Sequence, residues 1–285
     1  MTAIGSTTQN ISRFFPKGSV RLSAALFSLI YSCNCSASLF IIGGERLPPA
    51  DPIAQTTVAL YVKNQGTDDY SFNCSASIIA SEFVLTAAHC LTRRNENKSF
   101  VPRNFQDVRI SFAVAASTPD HARETELASI KQFVIHPNYS MDGLFLNDIA
   151  IIQLSKSIPP GHALAALDIL DHLSLLKADA EVTIAGYGDT EYKTVIGYGT
   201  LFKVNVPIKQ GPDENNDVLL NISRAKGACY GDSGGPAFLN IDGVPTVWGI
   251  LSYFDSEPLD CSHDVKYLSV APYLAWLKSI TTSLK

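Results

Sequence analysis

Short apolar segments rich in β-branched and aromatic residues recur along most of the chain. Stretches of Asn, Asp, Gly, Pro and Ser separate them. The segments lie at 57–62, 77–88, 108–114, 149–154, 181–188, 201–208 and 246–254. Many short strands with turn residues between them are typical of an all-β barrel or sandwich. The sequence therefore predicts an all-β fold.

Residues 271–285 show a different pattern. Pro272 suits the first turn of a helix, where its missing N–H has no partner to lose. Apolar residues then recur at helical spacing, namely Tyr273, Trp276, Leu277 and Ile280. This spacing predicts an amphipathic α-helix at the C-terminal end.

The first forty residues have the order of a secretory signal. Three basic residues (Arg13, Lys17 and Arg21) and no acidic one precede an apolar run at 22–31, and small residues follow it. The apolar run is too short to span a bilayer as a helix. We therefore expect a signal peptide and short pro-segment at 1–40, a secreted protein, and no stable membrane span.

Two other interpretations of this leader stay open. Its Ser-rich, acid-free composition also suits an organellar transit peptide. The stretch "IYSC" is similar to a bacterial lipoprotein cleavage site with Cys33 as the acylated residue, although Tyr31 fits that pattern poorly. A periplasmic or lipid-anchored protein is the corresponding alternative to secretion.

Charge argues against a nucleic-acid partner. The formal net charge of the chain is −5. Removing the leader takes away three basic residues and no acidic one, so the net charge falls to −8. Nucleic-acid binding surfaces need a basic patch or stripe, and no such stripe remains.

The cysteines outside the leader are Cys74, Cys90, Cys229 and Cys261. An even number in a secreted chain indicates disulfides, and four cysteines allow three pairings. The sequence has no CxxC motif, no Cys/His cluster at metal-ligand spacing and no clear calcium loop. We therefore expect no metal and no cofactor.

A serine framed by glycines, Ser233, stands in "GDSGGP" at 231–236. Alone this stretch is typical of a surface turn. Three other stretches join it. His89 lies in "VLTAAHC" at 84–90 and by itself suits a structural histidine. Asp148 lies in "NDIAIIQL" at 147–154, just before apolar residues, and suits a strand cap. The stretch "IIGGE" begins at Ile41.

In this order the four stretches resemble the trypsin/chymotrypsin family of serine endopeptidases. The resemblance covers nearly all of residues 41–285 and includes "HPNY" at 136–139 and "AGYG" at 185–188. It implies two packed six-stranded antiparallel β-barrels, at roughly 41–155 and 156–270, followed by the C-terminal helix.

The resemblance also implies a catalytic apparatus. Ser233 would be the nucleophile, His89 its general base, and Asp148 the group that holds the imidazole. The N–H groups of Gly231 and Ser233 would form the oxyanion hole. The implied disulfides are Cys74–Cys90 and Cys229–Cys261.

A second implication concerns activation. Cleavage before Ile41 would free an α-amino group that pairs with Asp232, and a buried carboxylate that gains or lacks such a partner can act as a switch. Zymogens of the family commonly carry Arg or Lys before the cut, whereas this chain has Phe40. We therefore expect a chymotrypsin-like protease, or signal processing followed by trimming, to release Ile41.

The resemblance implies an elastase-like pocket that takes small or aliphatic residues. The uncharged Gly227 stands at the floor, and the bulky Phe254 and Val265 stand where glycines are common on the walls. In the alternative arrangement of this pocket, Asp264 points into it. Phe145 matches a position that lines the next subsites. The remaining pocket positions are Ala228, Tyr230, Ser252 and Tyr253.

The predicted function is therefore that of a secreted, monomeric serine endopeptidase that acts through an acyl-enzyme on protein or peptide substrates. A protein protease inhibitor is a further expected partner. The alternative is a catalytically silent binding protein on the same fold. An esterase or lipase would carry G-x-S-x-G with its histidine last in the chain, whereas here the serine comes last.

Overall fold

The computed structural model describes residues 41–116, 119–141, 145–190, 198–222, 226–255 and 261–284. The predicted signal peptide and pro-segment at 1–40 lie outside these ranges. The described strands are β1 (Glu45–Arg46), β2 (Thr57–Lys63), β3 (Tyr70–Ala80), β4 (Phe83–Thr86), β5 (Thr92–Arg94), β6 (Phe100–Pro102), β7 (Val108–Ser111), β8 (Ala128–Ile135), β9 (Ala150–Leu154), β10 (Glu181–Gly186), β11 (Phe202–Gln210), β12 (Asp217–Leu220), β13 (Pro236–Ile241), β14 (Val244–Phe254) and β15 (Val265–Ser269). The α-helices are α1 (Pro52–Thr56) and α2 (Leu274–Ser283).

The first barrel closes in the order β2-β3-β4-β9-β8-β7, with every neighbouring pair antiparallel. Successive side chains of a strand point to opposite faces. On β2, Val58 and Leu60 therefore fill this barrel, whereas Ala59 and Tyr61 join the larger core cluster that the second barrel forms. Both faces of β2 are buried, which explains why its sequence is apolar without interruption.

The second barrel follows the order β11-β10-β13-β14-β15-β12 and closes through β11 and β12, with β1 added beside β11. Its largest fully buried side chains include Trp248, Tyr187 and Tyr267. Two six-stranded antiparallel barrels thus make up the described chain, and the predicted fold class is confirmed.

The segment at 77–88 differs from its prediction as one strand. It contains the end of β3 and all of β4, and a turn at Ser81 and Glu82 joins the two. Ile78 pairs with Val84 across this hairpin, so the two apolar runs face each other rather than continue. Seven of the described strands, β1, β5, β6, β8, β12, β13 and β15, lay outside the predicted segments.

The predicted C-terminal helix is confirmed. A 3₁₀ turn spans Ala271–Tyr273, and α2 follows it. Leu277 is buried, and Trp276 and Ile280 pack partly buried against the core. Among the described helices none is both long and apolar enough to cross a membrane.

Candidate active site

Pairing of β4 with β9 brings His89 and Asp148 together. Thr86, at the end of β4, is opposite Ala150, at the start of β9. His89 follows shortly after that end of β4, and Asp148 shortly precedes that start of β9, so both emerge at the same edge of the first barrel. His89 Nδ1 lies 2.7 Å from Asp148 Oδ2, and the backbone N–H of His89 donates to Oδ1 at 2.8 Å.

This hydrogen bond determines the tautomer of the histidine. A carboxylate accepts and does not donate, so the ring proton of neutral His89 lies on Nδ1. Nε2 is then left with a lone pair that can accept a proton. The imidazole is partly exposed, whereas Asp148 is entirely buried.

Ser252 of β14 supplies a third donor to the same carboxylate. Its hydroxyl donates to Asp148 Oδ2 at 2.6 Å, and both residues are buried. The sequence predicted Ser252 as part of the substrate-binding strand and missed the role of its hydroxyl. A polar residue inside the apolar segment 246–254 was the available signal.

Ser233 lies in the loop that precedes β13. The N–H of Gly234 donates to the carbonyl of Leu251, the neighbour of Ser252, at 2.8 Å. A Cβ at Gly234 would overlap the hydroxyl of Thr86, at the end of the strand that leads to His89. The Ser233 loop therefore packs against β14, which carries Ser252, and against the end of β4, which leads to His89. Within the described ranges the Ser233 hydroxyl makes no hydrogen bond, and hydrogen bonds to catalytic groups often tighten only when substrate is present.

Backbone hydrogen bonds orient the peptides around Ser233. The carbonyl of Tyr230 accepts from Asp189 N at 2.7 Å, and that of Asp232 accepts from Gly235 N at 2.8 Å. Because N–H and C=O point in opposite directions in a trans peptide, the N–H groups of Gly231 and Ser233 are directed away from these partners. Neither N–H meets a protein acceptor in the part of the chain that the structure describes.

Gly231 is required for this loop conformation. Its φ is +90°, in the region that side chains disfavour, and a Cβ there would overlap the ring of Phe72. Glycine is therefore needed at position 231 both because of the backbone conformation and because a side chain has no space there.

Asp232 is a second buried carboxylate, only 1% exposed. Oδ1 accepts from Gly188 N and Oδ2 from Cys229 N, both at 2.8 Å. No ion pair to Asp232 is present among the described residues. Burial raises the pKa of Asp232 to about 7, the negative charge of Asp189 adds to the rise, and the two amide hydrogen bonds oppose it without cancelling it.

Ile41 and Ile42 lie beside the segment that leads to Asp232. The carbonyl of Ile42 accepts from Gly227 N at 2.8 Å, and its side chain packs on the disulfide between Cys229 and Cys261. Ile41 is buried in the core with a φ of +37°, which is strained for a β-branched residue. The intact chain holds the nitrogen of Ile41 as an uncharged amide.

Two disulfides flank the site, and their pairings are those that the resemblance implied. Cys74 of β3 is bonded to Cys90, the neighbour of His89. Cys229 is bonded to Cys261. The first disulfide therefore ties the histidine turn to β3, and the second joins the loop before Ser233 to the segment before β15.

A side chain that the sequence analysis did not single out packs against Gly227, the predicted floor of the pocket. A Cβ at Gly227 would overlap the Cγ2 methyl of Ile222, which is 5% exposed. Ala228, next in the chain, is also buried. None of the four stretches that carry the resemblance includes Ile222, although it lies close to Gly227 in the chain.

The predicted wall residues come together along β14 and β15. Phe254 pairs with Val265 across these strands, and the ring of Tyr230 lies 5.8 Å from that of Phe254. Asp264 Oδ1 accepts from Ile222 N at 3.1 Å, and its Oδ2 pairs with Lys209. This charge is therefore already neutralised by a lysine.

Phe145 lies next to the histidine. Its ring is 5.7 Å from that of His89, edge to face, and 5.2 Å from that of Tyr253, nearly parallel. The hydroxyl of Tyr253 donates to the buried Asp217 at 3.1 Å. The rings of Phe145 and Tyr253 therefore form an aromatic surface beside the imidazole of His89.

Comparison with known proteins identifies the family. Residues 41–277 match the family model described as Trypsin.

The chain belongs to the trypsin family.

Among its relatives, CLIP domain-containing serine protease B4 of Anopheles gambiae is 28% identical over 276 residues, which cover 88% of this chain and 73% of the relative. Brachyurin of Leptuca pugilator is 27% identical, over 85% of this chain and 98% of the relative. Chymotrypsin of Phaedon cochleariae is 28% identical, over 85% and 82% respectively. The predicted trypsin/chymotrypsin family is confirmed.

One possible metal-binding cluster lies at this trypsin-family site. Cys74, His89 and Cys90 are close enough together to suggest a metal cluster. Both sulfurs are taken up by the disulfide, however, so they offer no thiolate ligand.

The raised pKa of Asp232 predicts a pH-dependent stability for the chain that is uncleaved before Ile41. A carboxyl group with a raised folded-state pKa binds more protons folded than unfolded, so its contribution is complete below about pH 4 and is lost as the pH rises through about 7. We expect the melting temperature of the uncleaved wild type, relative to Asp232→Asn, to fall across that window. Asp171→Asn, which removes an exposed carboxylate, is the control and should run parallel to wild type. Parallel curves for wild type and Asp232→Asn would contradict the interpretation.

Proposed function

We propose that this trypsin-family chain is an active serine endopeptidase that works through an acyl-enzyme. The observation that carries the proposal is the hydrogen-bonded set of His89, Asp148 and Ser252, which places the ring proton on Nδ1 and leaves the lone pair on Nε2, 3.7 Å from the disulfide sulfur of Cys90. A serine hydroxyl is a weak nucleophile at neutral pH and needs a base. Here the base has a defined tautomer and a fixed orientation.

In the proposed reaction the oxygen of Ser233 forms a bond to the scissile carbonyl carbon, and its proton passes to His89 Nε2. The carbonyl oxygen becomes negative and accepts hydrogen bonds from the N–H groups of Gly231 and Ser233. The C–N bond then breaks, and the leaving amine takes the proton from His89. Water hydrolyses the ester by the same steps. Asp148 stabilises the imidazolium, and Ser252 holds Asp148.

A fluorophosphonate probe tests this proposal directly. Mature wild type should be labelled, because the activated oxygen of Ser233 displaces fluoride from phosphorus, and Ser233→Ala should not be labelled. Ser99→Ala, a change of an exposed serine, is the matched control and should label like wild type. Wild type with the correct N-terminus that fails to react would favour the silent binding protein instead.

We further propose that the substrate pocket accepts small or aliphatic residues before the cut bond. Support comes from Ile222 beneath the floor glycine Gly227 and from Phe254 and Val265 on the wall strands. An uncharged floor offers no salt bridge to Arg or Lys. The pairing of Asp264 with Lys209 argues against the alternative that Asp264 receives a basic residue.

Shortening the floor residue should deepen the pocket. For Ile222→Ala we expect kcat/KM on a peptide p-nitroanilide with Leu or Phe before the cut to rise relative to one with Ala, by about tenfold, in line with the 1–3 kcal/mol per methylene of a hydrophobic pocket. Ile241→Ala, on β13, should leave the ratio unchanged. Fast cleavage by wild type after Arg or Lys, and none after Ala or Val, would overturn the pocket assignment.

We propose that the protein is secreted and is activated by cleavage before Ile41. Two disulfides suit an oxidising compartment, and the leader composition suits a signal peptide. The strained φ of Ile41 adds a physical argument. Cleavage of the bond before residue 41 removes that dihedral angle altogether, so it would release about 1–3 kcal/mol of backbone strain. The new ammonium group would then neutralise Asp232.

N-terminal sequencing of the secreted, active protein tests this maturation. We expect the sequence to begin with Ile41-Ile42-Gly43. An active enzyme that begins elsewhere would contradict the proposed pairing of an Ile41 ammonium with Asp232. The matched variant Ile41→Val, which keeps a β-branched residue and the ammonium group, should mature and retain most of its activity.

A further inference from the structure

We propose that Ser75 is a positioning residue for the oxyanion-binding loop, an inference that rests on the proposed function. Ser75 belongs to β3 of the first barrel, and its side chain is fully buried. The sequence analysis assigned no catalytic role to it. Four hydrogen bonds nevertheless connect it to the residues around Ser233 and to the strand ends beside them.

Two of these bonds reach the loop itself. The Ser75 hydroxyl donates to the carbonyl of Gly231 at 3.0 Å, and its backbone N–H donates to the carbonyl of Ser233 at 2.9 Å. The same hydroxyl accepts from the N–H of Tyr187 at 3.0 Å. The Ser75 carbonyl accepts from the hydroxyl of Thr86, also at 3.0 Å.

These bonds complete the fixing of the loop. Asp189 holds the carbonyl of Tyr230, and Gly235 holds that of Asp232. Ser75 holds the two that alternate with them, those of Gly231 and Ser233. Every carbonyl from residue 230 to 233 is therefore bonded, and half of this set depends on a single residue of the opposite barrel.

The hydroxyl acts at the peptide between the two proposed donors. The Gly231 carbonyl belongs to the peptide that joins Gly231 to Asp232, and the N–H of that peptide donates to Cys229 at 3.1 Å. Glycine at φ +90° has no side chain to limit rotation of this peptide. Without the hydroxyl, the carbonyl of Gly231 loses its partner, and the peptide that sets the N–H groups of Gly231 and Ser233 relative to each other is held only by its own N–H bond to Cys229.

Such a role predicts a selective effect on the transition state. Oxyanion-hole donors act where charge develops, so a misdirected donor lowers kcat and leaves substrate binding nearly unchanged. Loss of an entire donor typically costs about 100- to 1000-fold in kcat. We expect Ser75→Ala, which loosens a donor without deleting it, to lower kcat about 10- to 100-fold with KM changed less than about twofold.

The experiment compares mature wild type with Ser75→Ala and Ser75→Gly, using a peptide p-nitroanilide with Val before the cut. A peptide trifluoromethyl ketone, on which the oxygen of Ser233 forms a hemiketal with a negative oxygen, serves as the transition-state probe. Its affinity should fall in parallel with kcat/KM. Rates are divided by the concentration of active sites found by titration, so misfolded chains do not enter.

Thr57→Val is the matched control, because it also removes a buried hydroxyl of the first barrel, one that donates to Ile53 at 2.8 Å. It should lower the melting temperature with kcat unchanged. The inference is wrong if both Ser75 variants keep kcat and ketone affinity within about twofold of wild type, or if Thr57→Val loses as much. Wild type that neither reacts with fluorophosphonate nor cleaves peptide would instead refute the proposed function itself.

Discussion

The carboxylate of Asp148 is the group on which the arrangement of the site depends. A buried carboxylate is costly unless donors surround it. The fold supplies three, the backbone N–H and the imidazole of His89 from the first barrel and the hydroxyl of Ser252 from the second. Rotation of one barrel against the other would strip this charge of a partner. The orientation of the histidine and the packing of the barrels are therefore stabilised by the same few hydrogen bonds.

Asp232 shows what happens when a buried carboxylate has weaker support. It accepts from two backbone amides and from no side chain or cation of the described chain, and its pKa is raised accordingly. The residues that the structure describes therefore give this carboxylate no cationic partner. Asp148 already has three hydrogen-bond donors in the uncleaved chain. Asp232 would gain an ammonium partner only through the proposed cleavage before Ile41.

Much of the fold and of the candidate site could be predicted from the sequence, because residues close together in the chain carry the signals. Apolar segments and turn residues predicted an all-β fold, and the resemblance that the four motifs carry implied the two barrels and the residues that meet at the site. The direct contact of His89 with Asp148 follows from the register of β4 on β9. The missed strands carry weaker signals. β13 begins at Pro236, within the glycine-rich motif itself, and the apolar residues of β15 are interrupted by the charged Lys266. The leader and its cleavage remain predictions, since residues 1–40 lie outside the described ranges.

Two contacts could not be predicted, since each joins residues distant in sequence. Ser75 and Ser252 look like ordinary polar positions in strands, and only tertiary packing sets their hydroxyls against the Ser233 loop and Asp148. Ile222 lies close to Gly227 in sequence, but none of the four motifs includes it, so its packing against Gly227 could not be predicted either. The chemical groups of a triad must be invariant in type, but the atoms that orient them or limit a pocket can come from any neighbouring strand. A chain can therefore keep its motifs while its pocket depth changes through one residue outside them, so motifs predict the reaction better than the substrate.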